Sequence, residues 1–461
     1  ARLFRSWKPD MHLLGETSGK NAIIVTPSAD PDIAVRDAVY SAFAHAGQKC
    51  SASSLLVLVS SAGTSERIAR QLVDATASLR VRLPLSLDSQ MGPVVVPDDE
   101  KAVRGLTTLG SGEHWVLKPR YLGDGLWTPG IRAGVVPGSE FHLTEYFAPV
   151  IGVMRVDTLQ EAIEAVNAVD YGLTSGIQTL DATELAIWLE GVQAGNLYVN
   201  RGITGAIVRR QPFGGWKRSA IGSTTKAGGP SYLLGLGEVE PARGQGGKVE
   251  QGTAALDPRV ANLCDAVSSQ LDAADLAELR RALVADAAAW RTAYGANRDV
   301  TGLACERNIL RYREVDVVVR AGQGTALADV VRVMAAGVRA GGFISLSVAD
   351  RLPQPLQNAL LAAGVQVMVE DQGAWDARLA ELAASGGLGT RVRVIGPREE
   401  TSAARWSHAS RVTGGSPDIA LYTGAVTACP HSELLPFLRE QAVAVTNHRF
   451  GTPLDLAEGL L

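Results

Sequence analysis

Two short stretches carry the residue types best suited to covalent chemistry: Ala46-Gly47-Gln48-Lys49-Cys50-Ser51-Ala52 and Glu16-Thr17-Ser18-Gly19-Lys20. A thiolate is a strong nucleophile toward an electrophilic carbon, and a carboxylate can act as the base that activates water. The chain has four cysteines, Cys50, Cys264, Cys305 and Cys429, far apart and without CxxC spacing. That argues against a zinc site and against a disulfide framework, so no metal is expected. Cys264, Cys305 and Cys429 are expected to be plain core residues. Cys50 differs, because Gly47, Gln48, Lys49, Ser51, Ser53 and Ser54 around it are not the neighbours of an inert buried thiol.

The segment between the two stretches must position them. Ala22-Ile23-Ile24-Val25 reads as a strand, Pro27-Ser28-Ala29-Asp30-Pro31 as a turn, and Pro31 to about Ala46 as a helix. Asp30 sits where an N-cap belongs, and Pro31 fits the first helical position, where its missing N–H costs nothing. A glycine is expected to stop that helix, and the thiol then stands at the mouth of a new strand, Leu55-Leu56-Val57-Leu58-Val59. Such a unit brings the Glu16 carboxylate and the Cys50 thiol into one cleft although 50 − 16 = 34 positions separate them.

With 461 residues, 46% hydrophobic and 20% charged, the chain can bury a large core, and its length suggests two or three domains. The net charge of −4, with both signs interspersed, leaves no basic stripe, so nucleic acid is not an expected partner. No apolar run is long enough for a membrane span, and the first residues lack a signal-peptide core, so a cytoplasmic location is expected.

Helical periods such as Ser65 to Ala77, with Ile68, Leu72 and Val73 on one face, alternate with strands such as Val150 to Val153. This is the pattern of a mostly parallel sheet covered by helices. Gly195 to Arg201 reads as a strand and Gln211-Pro212-Phe213-Gly214-Gly215 as a tight turn. Composition changes near Pro241: a Gly-rich linker, then an Ala-rich helix from Ala273 to Arg291, a strand Val315 to Arg320, a glycine turn, a helix Ala326 to Ala336 and a strand Phe343 to Ser347. That is a βαβ unit, but its glycines do not form G-x-G-x-x-G, so a structural domain is favoured over a dinucleotide site.

The pairing of E-T-S-G-K with G-Q-K-C-S resembles the active-site pair of the aldehyde dehydrogenase superfamily, although the more usual motif has Leu-Gly at Thr17-Ser18. Thr144-Glu145-Tyr146-Phe147-Ala148-Pro149-Val150 resembles a further family motif. Read alone, Glu145 is a surface carboxylate. Asp88 to Val94 also resembles a family stretch and reads equally well as an ordinary turn. The N-x-Y-V-N-R string at Asn196, the turn at Phe213 and Lys226-Ala227-Gly228-Gly229-Pro230 narrow the resemblance to the 1-pyrroline-5-carboxylate dehydrogenases, and within them to the module of the bifunctional proline utilization A flavoenzymes. Residues 391–397 and 446–454 resemble the C-terminal extension of long proline utilization A chains, a degenerate copy of the cofactor domain.

The resemblance implies an α/β fold: an aldehyde dehydrogenase-like catalytic domain with a parallel-type sheet, plus a C-terminal Rossmann-like α/β domain. It implies boundaries at 1–18 (tail of an incomplete NAD-binding domain), 19–202 (catalytic), 203–240 (substrate-anchor loop and return segment), 241–257 (linker) and 258–461. It implies NAD-dependent oxidation of L-glutamate γ-semialdehyde to L-glutamate, with Cys50 as nucleophile and Glu16 as general base. Glu145, Phe147 and Thr17 would bind the cofactor; Ser51, Phe213, Gly228 and Gly229 would bind the substrate, the two glycines through backbone N–H groups suited to an anion. The Cys50 N–H would hold the oxyanion together with an upstream Asn that is not in this sequence. The chain is therefore expected to be a fragment of a longer polypeptide, a homo-oligomer, and can be fused to an FAD-dependent proline dehydrogenase domain. The rival readings are a dehydrogenase for another aldehyde, one passing the acyl group to coenzyme A, and a catalytically silent assembly or binding module.

Overall fold

The computed structural model describes residues 1–8, 11–223, 225–240, 255–299 and 301–461. Residues 241–254 of the expected linker lie outside the described residues. The chain divides into two compact units, one made of residues 1–16, 220–298 and 311–440, the other of residues 17–219, 299–310 and 441–461.

In the second unit a sheet runs in the order His114–Leu117, Gly130–Val135, Val150–Val156, Ser53–Val59, Asn21–Val25, Thr174–Gln178 and Asn196–Val199, followed by the part of Leu438–Thr446 that belongs to this unit. Its pairs are parallel except at the edge, where His114–Leu117 runs antiparallel to Gly130–Val135. The central strands are apolar on both faces because both are covered. Ala22, Ile24, Leu55 and Val57 enter one core, whereas Ile23, Val25, Leu56 and Leu58 enter another. This is the period-two alternation of a strand.

The helix Pro31–Phe43 forms as its signals predict: Asp30 accepts from the N–H of Asp32 at 3.0 Å and of Ile33 at 3.2 Å, with Pro31 at the first turn. It ends three residues before the expected Ala46 (46 − 43 = 3), and His45, Ala46 and Gly47 all take the left-handed conformation, at φ 56°, 55° and 70°. At Gly47 the constraint is tertiary: the backbone passes directly over the Ala148 carbonyl, and a Cβ there would lie 2.3 Å from its oxygen. The expected helix at 65–77 is Glu66–Ala77, capped by Ser65 and burying Ile68 and Leu72.

In the other unit five parallel strands run in the order Gln366–Val369, Ile344–Val348, Val317–Ala321, Thr390–Ile395, Ile419–Tyr422. Numbered along the chain this is 3-2-1-4-5, the order of a doubly wound Rossmann-like sheet. The expected βαβ unit is there, with its helix, Leu327–Ala340, running four residues past the expected end to a left-handed Gly341 at φ 97°. In its glycine turn the Gly324 N–H is already occupied by the Asp350 carboxylate at 3.0 Å.

Of the three cysteines expected in the core, only Cys264 is buried; Cys429 is half-buried and Cys305 exposed. Cys305 lies in a loop just ahead of the strand Glu306–Glu314, where its carbonyl accepts from the N–H of Asn447 at 2.9 Å.

Candidate active site

Cys50 is half-buried and stands three residues before the strand Ser53–Val59, near the middle of the sheet. The loop that carries it is held from three sides within its own unit. The buried amide of Asn21, at the head of the neighbouring strand, donates to the carbonyls of Cys50 at 2.7 Å and Ala52 at 2.9 Å and accepts from the N–H of Thr174 at 3.0 Å. Gly19 packs so closely that a Cβ there would lie 2.3 Å from the Cys50 carbonyl oxygen. Gln48 donates to the Pro93 carbonyl at 3.2 Å and accepts from the Val95 N–H at 2.7 Å, which ties the 88–95 stretch to the cysteine loop. Ser51 is buried beside Cys50, and its carbonyl accepts from the Thr174 hydroxyl at 3.4 Å.

Glu145 accepts from the N–H of Gly19 at 3.3 Å, so the two family-like stretches meet here. Burial pushes its carboxyl upward, against the Gly19 N–H, the Ser18 hydroxyl and the Lys101 and Lys20 ammoniums. Phe147 has φ 54° and is 42% exposed. Glu145 and Phe147 line one small cleft with Gly19, Lys49 and Phe141. An anionic acceptor of hydroxyls next to an accessible aromatic face is the chemistry that the ribose and ring at the nicotinamide end of NAD would need. Thr17 is engaged within the protein: its N–H donates to the Ser219 carbonyl at 3.1 Å and its hydroxyl to the Arg218 carbonyl.

Lys20 is 3% exposed, and its Nζ has no hydrogen-bond partner among the described residues. It sits 4.2 Å from the centroid of the Phe141 ring, which also meets Arg132 at 4.1 Å. Burial pushes its ammonium down to about 7, against the attraction of Glu145. Arg132, in contrast, is neutralised by Glu113 at 2.8 Å.

Phe213 is half-buried in a turn that Asn196 holds, donating to the Pro212 carbonyl at 2.9 Å and accepting from the Gly214 N–H at 3.2 Å. Glu16, Gly228 and Gly229 belong to the other unit. There Glu16 pairs with Ala220 in a short antiparallel bridge; burial pushes its carboxyl upward and the Lys226 ammonium opposes that. Gly228 has φ 72°, and the Gly229 N–H donates to the Lys226 carbonyl at 2.9 Å, so one of the two amides expected to cradle an anion is engaged in the turn.

Sequence reasoning missed Asn21 and Glu440, and it met Lys226 only as part of the glycine motif without a role of its own. Asn21 could have been found as the one polar residue opening an apolar strand; nothing in the sequence marks Glu440.

Over residues 10–236 the chain matches the aldehyde dehydrogenase family. Among curated relatives, the 1-pyrroline-5-carboxylate dehydrogenase of Bacillus subtilis (strain 168) is 35% identical over 225 residues, covering 48% of this chain and 43% of the relative. The enzyme of the same name from Geobacillus kaustophilus (strain HTA426) is 33% identical with the same coverage of 48% and 43%. Among solved structures, proline utilization A from Corynebacterium freiburgense is similar at 41% identity and a TM-score of 0.78, over 98% of this chain and 41% of that one. The chain thus spans less than half the length of these relatives. Among the described residues no helix is long and apolar enough to cross a membrane.

Proposed function

We propose that the polypeptide carrying this chain oxidises L-glutamate γ-semialdehyde to L-glutamate with NAD. The observation that carries the proposal is the half-exposed Cys50, held by Gly19 and Asn21 at the mouth of a central strand in a segment that matches the aldehyde dehydrogenase family. The names of the relatives support the substrate, and the likeness to proline utilization A over nearly the whole chain supports a place in proline breakdown, with a fused proline dehydrogenase domain. A cytoplasmic location belongs to the same proposal.

An aldehyde carbon becomes a hydride donor only when it is tetrahedral. The Cys50 thiolate adds to the carbonyl to give a thiohemiacetal oxyanion, which the Cys50 N–H helps to hold. Collapse of that oxyanion with loss of hydride leaves a thioester on Cys50. Glu16 takes a proton from water, the hydroxide attacks the thioester, and the C–S bond breaks to release the carboxylate and restore the thiolate. NAD, when bound, is the hydride acceptor; Glu145 and Phe147 would hold its nicotinamide end. Ser51, Phe213 and the Gly228 and Gly229 turn would orient the substrate through its α-carboxylate.

The test is aldehyde oxidation by the intact polypeptide. C50A is expected to abolish it, and E16Q to leave a burst of NADH followed by slow turnover. Glutamate semialdehyde should be preferred over uncharged aldehydes. Normal steady-state rates in C50A would remove the mechanism.

A further inference from the structure

A buried polar cluster surrounds Lys226 and Glu440, which are 214 positions apart and in the same unit. Glu440 is 6% exposed and Lys226 3%. One Glu440 oxygen accepts the Lys226 backbone N–H at 2.6 Å, and the other accepts from the Tyr312 hydroxyl at 3.4 Å. The Lys226 carbonyl in turn accepts the Gly229 N–H, so the peptide of Lys226 links the Glu440 carboxylate to the glycine turn.

The side chains continue the link. Against the effect of burial, Glu440 and Glu16 push the Lys226 ammonium up, Lys226 in turn pulls both carboxyls down, and hydrogen bonds from Ser231 and Tyr312 pull Glu440 down further. Behind them, Tyr312 packs against Tyr294 with ring centroids 4.7 Å apart, and Tyr294 meets His431 Nδ1 at 2.5 Å. A buried ion pair contributes little net stability, because desolvation offsets the Coulomb attraction. What such a pair does supply is an ionisable group in a fixed place, whose charge each partner sustains in the other.

We propose that Glu440 is a positioning residue for the aldehyde oxidation described above: through the Lys226 peptide it fixes the Gly228–Gly229 turn, and through the Lys226 side chain it keeps a positive charge opposite Glu16. The proposal rests on that functional reading. It places a strand near the end of the chain in control of both the substrate-anchoring turn and the general base. Burial pushes the Lys226 ammonium down to about 7 while Glu440 and Glu16 push it up, so discharging Glu440 also discharges Lys226. Glu16 then loses the cation that opposes its own upward shift. The base becomes harder to ionise, and the acidic limb of the pH profile moves to higher pH.

The experiment compares the intact polypeptide with its E440Q, E440A and K226M variants. kcat and KM are measured for glutamate semialdehyde and for propionaldehyde from about pH 6 to 9. E440Q keeps an acceptor for the Lys226 N–H, so it should leave KM for the semialdehyde within about 3-fold while moving the acidic limb of kcat up by about half a pH unit or more. K226M should move the limb in the same direction. E440A loses the acceptor too and should raise KM for the semialdehyde about 10-fold, with KM for propionaldehyde little changed. An unmoved acidic limb in E440Q and K226M overturns the proposal, even if E440A fails to fold. Equal losses for both aldehydes at an unmoved limb overturn it as well, because they mark a merely structural role. An unmodified polypeptide that oxidises neither aldehyde removes the functional reading and the proposal with it, whereas an active one with indifferent variants removes the proposal alone.

Discussion

The α-carbon of Gly19 rests on the carbonyl oxygen of Cys50, leaving 2.3 Å where a methyl group would have to fit and 2.7 Å to the side-chain oxygen of Asn21. The glycine of the carboxylate-bearing motif is thus a steric condition for the shape of the cysteine loop. Both obstacles are fixed, one being backbone and the other an amide locked by three hydrogen bonds.

Gly19→Ala is therefore expected to displace the Cys50 loop. Aldehyde oxidation should fall about 100-fold or more, since misplacing a reacting group by about 1 Å costs on that order. The rate of Cys50 alkylation by iodoacetamide should change in parallel, while circular dichroism stays that of the parent. Parental rates in both assays would show that the contact yields at no cost.

Gly47→Ala combines two penalties, a left-handed backbone at φ 70° and a Cβ 2.3 Å from the Ala148 oxygen. The left-handed conformation alone costs about 1–2 kcal/mol for a residue with a side chain. Denaturant unfolding should show a loss of at least about 2 kcal/mol once the overlap is added. A change within about 0.5 kcal/mol, the range of an indifferent surface substitution, would contradict this.

Asn21→Ala strips the carbonyls of Cys50 and Ala52 of their donor. A buried acceptor left unsatisfied costs about 1–3 kcal/mol, so destabilisation of that order per carbonyl is expected. Asn21→Asp keeps the shape but cannot donate when ionised, and should behave more like alanine than like asparagine. Equal stability of the aspartate variant and the parent would contradict the role assigned to the amide.

Lys20 makes stability depend on pH. Its folded-state pKa of about 7 lies below the ordinary lysine value, so between these two the unfolded chain binds a proton that the folded protein does not. Stability should therefore rise with pH from neutrality toward the ordinary lysine value. Lys226, pushed down to a similar value, contributes a second rise of the same sign. Lys20→Met should remove about half of the combined rise, and it should stabilise the protein at neutral pH, because an apolar side chain replaces a buried cation without a hydrogen-bond partner. Urea unfolding at neutral and alkaline pH measures both effects. An unchanged slope in the variant would show that Lys20 is ionised alike in both states.

Local order determined what was legible in the sequence. Asp30 and Pro31 announced one helix start, the helical period of 65–77 the next helix, and the continuous apolar runs at 22–25 and 55–59 announced strands that do pair in parallel. The order of the Rossmann-like strands bears out the α/β reading of the later chain, and the family-like motifs mark Cys50 and Glu145 as candidates for the site.

Contacts far apart in the sequence decided the rest. Gly47, the last of the three left-handed residues after the first helix, passes against the backbone of Ala148, about a hundred positions away. The neutral-leaning Lys20 follows from Phe141 and Arg132 closing around it, and the engaged Gly229 amide from a turn that Glu440 anchors across 214 positions at Lys226. Sequence by itself determined which segments are helix or strand and which residue carries the thiol, because capping and side-chain period act over a few residues. Only the tertiary structure decided which amides, carbonyls and charges are left for chemistry, because burial and close approach depend on neighbours that the chain order does not place together.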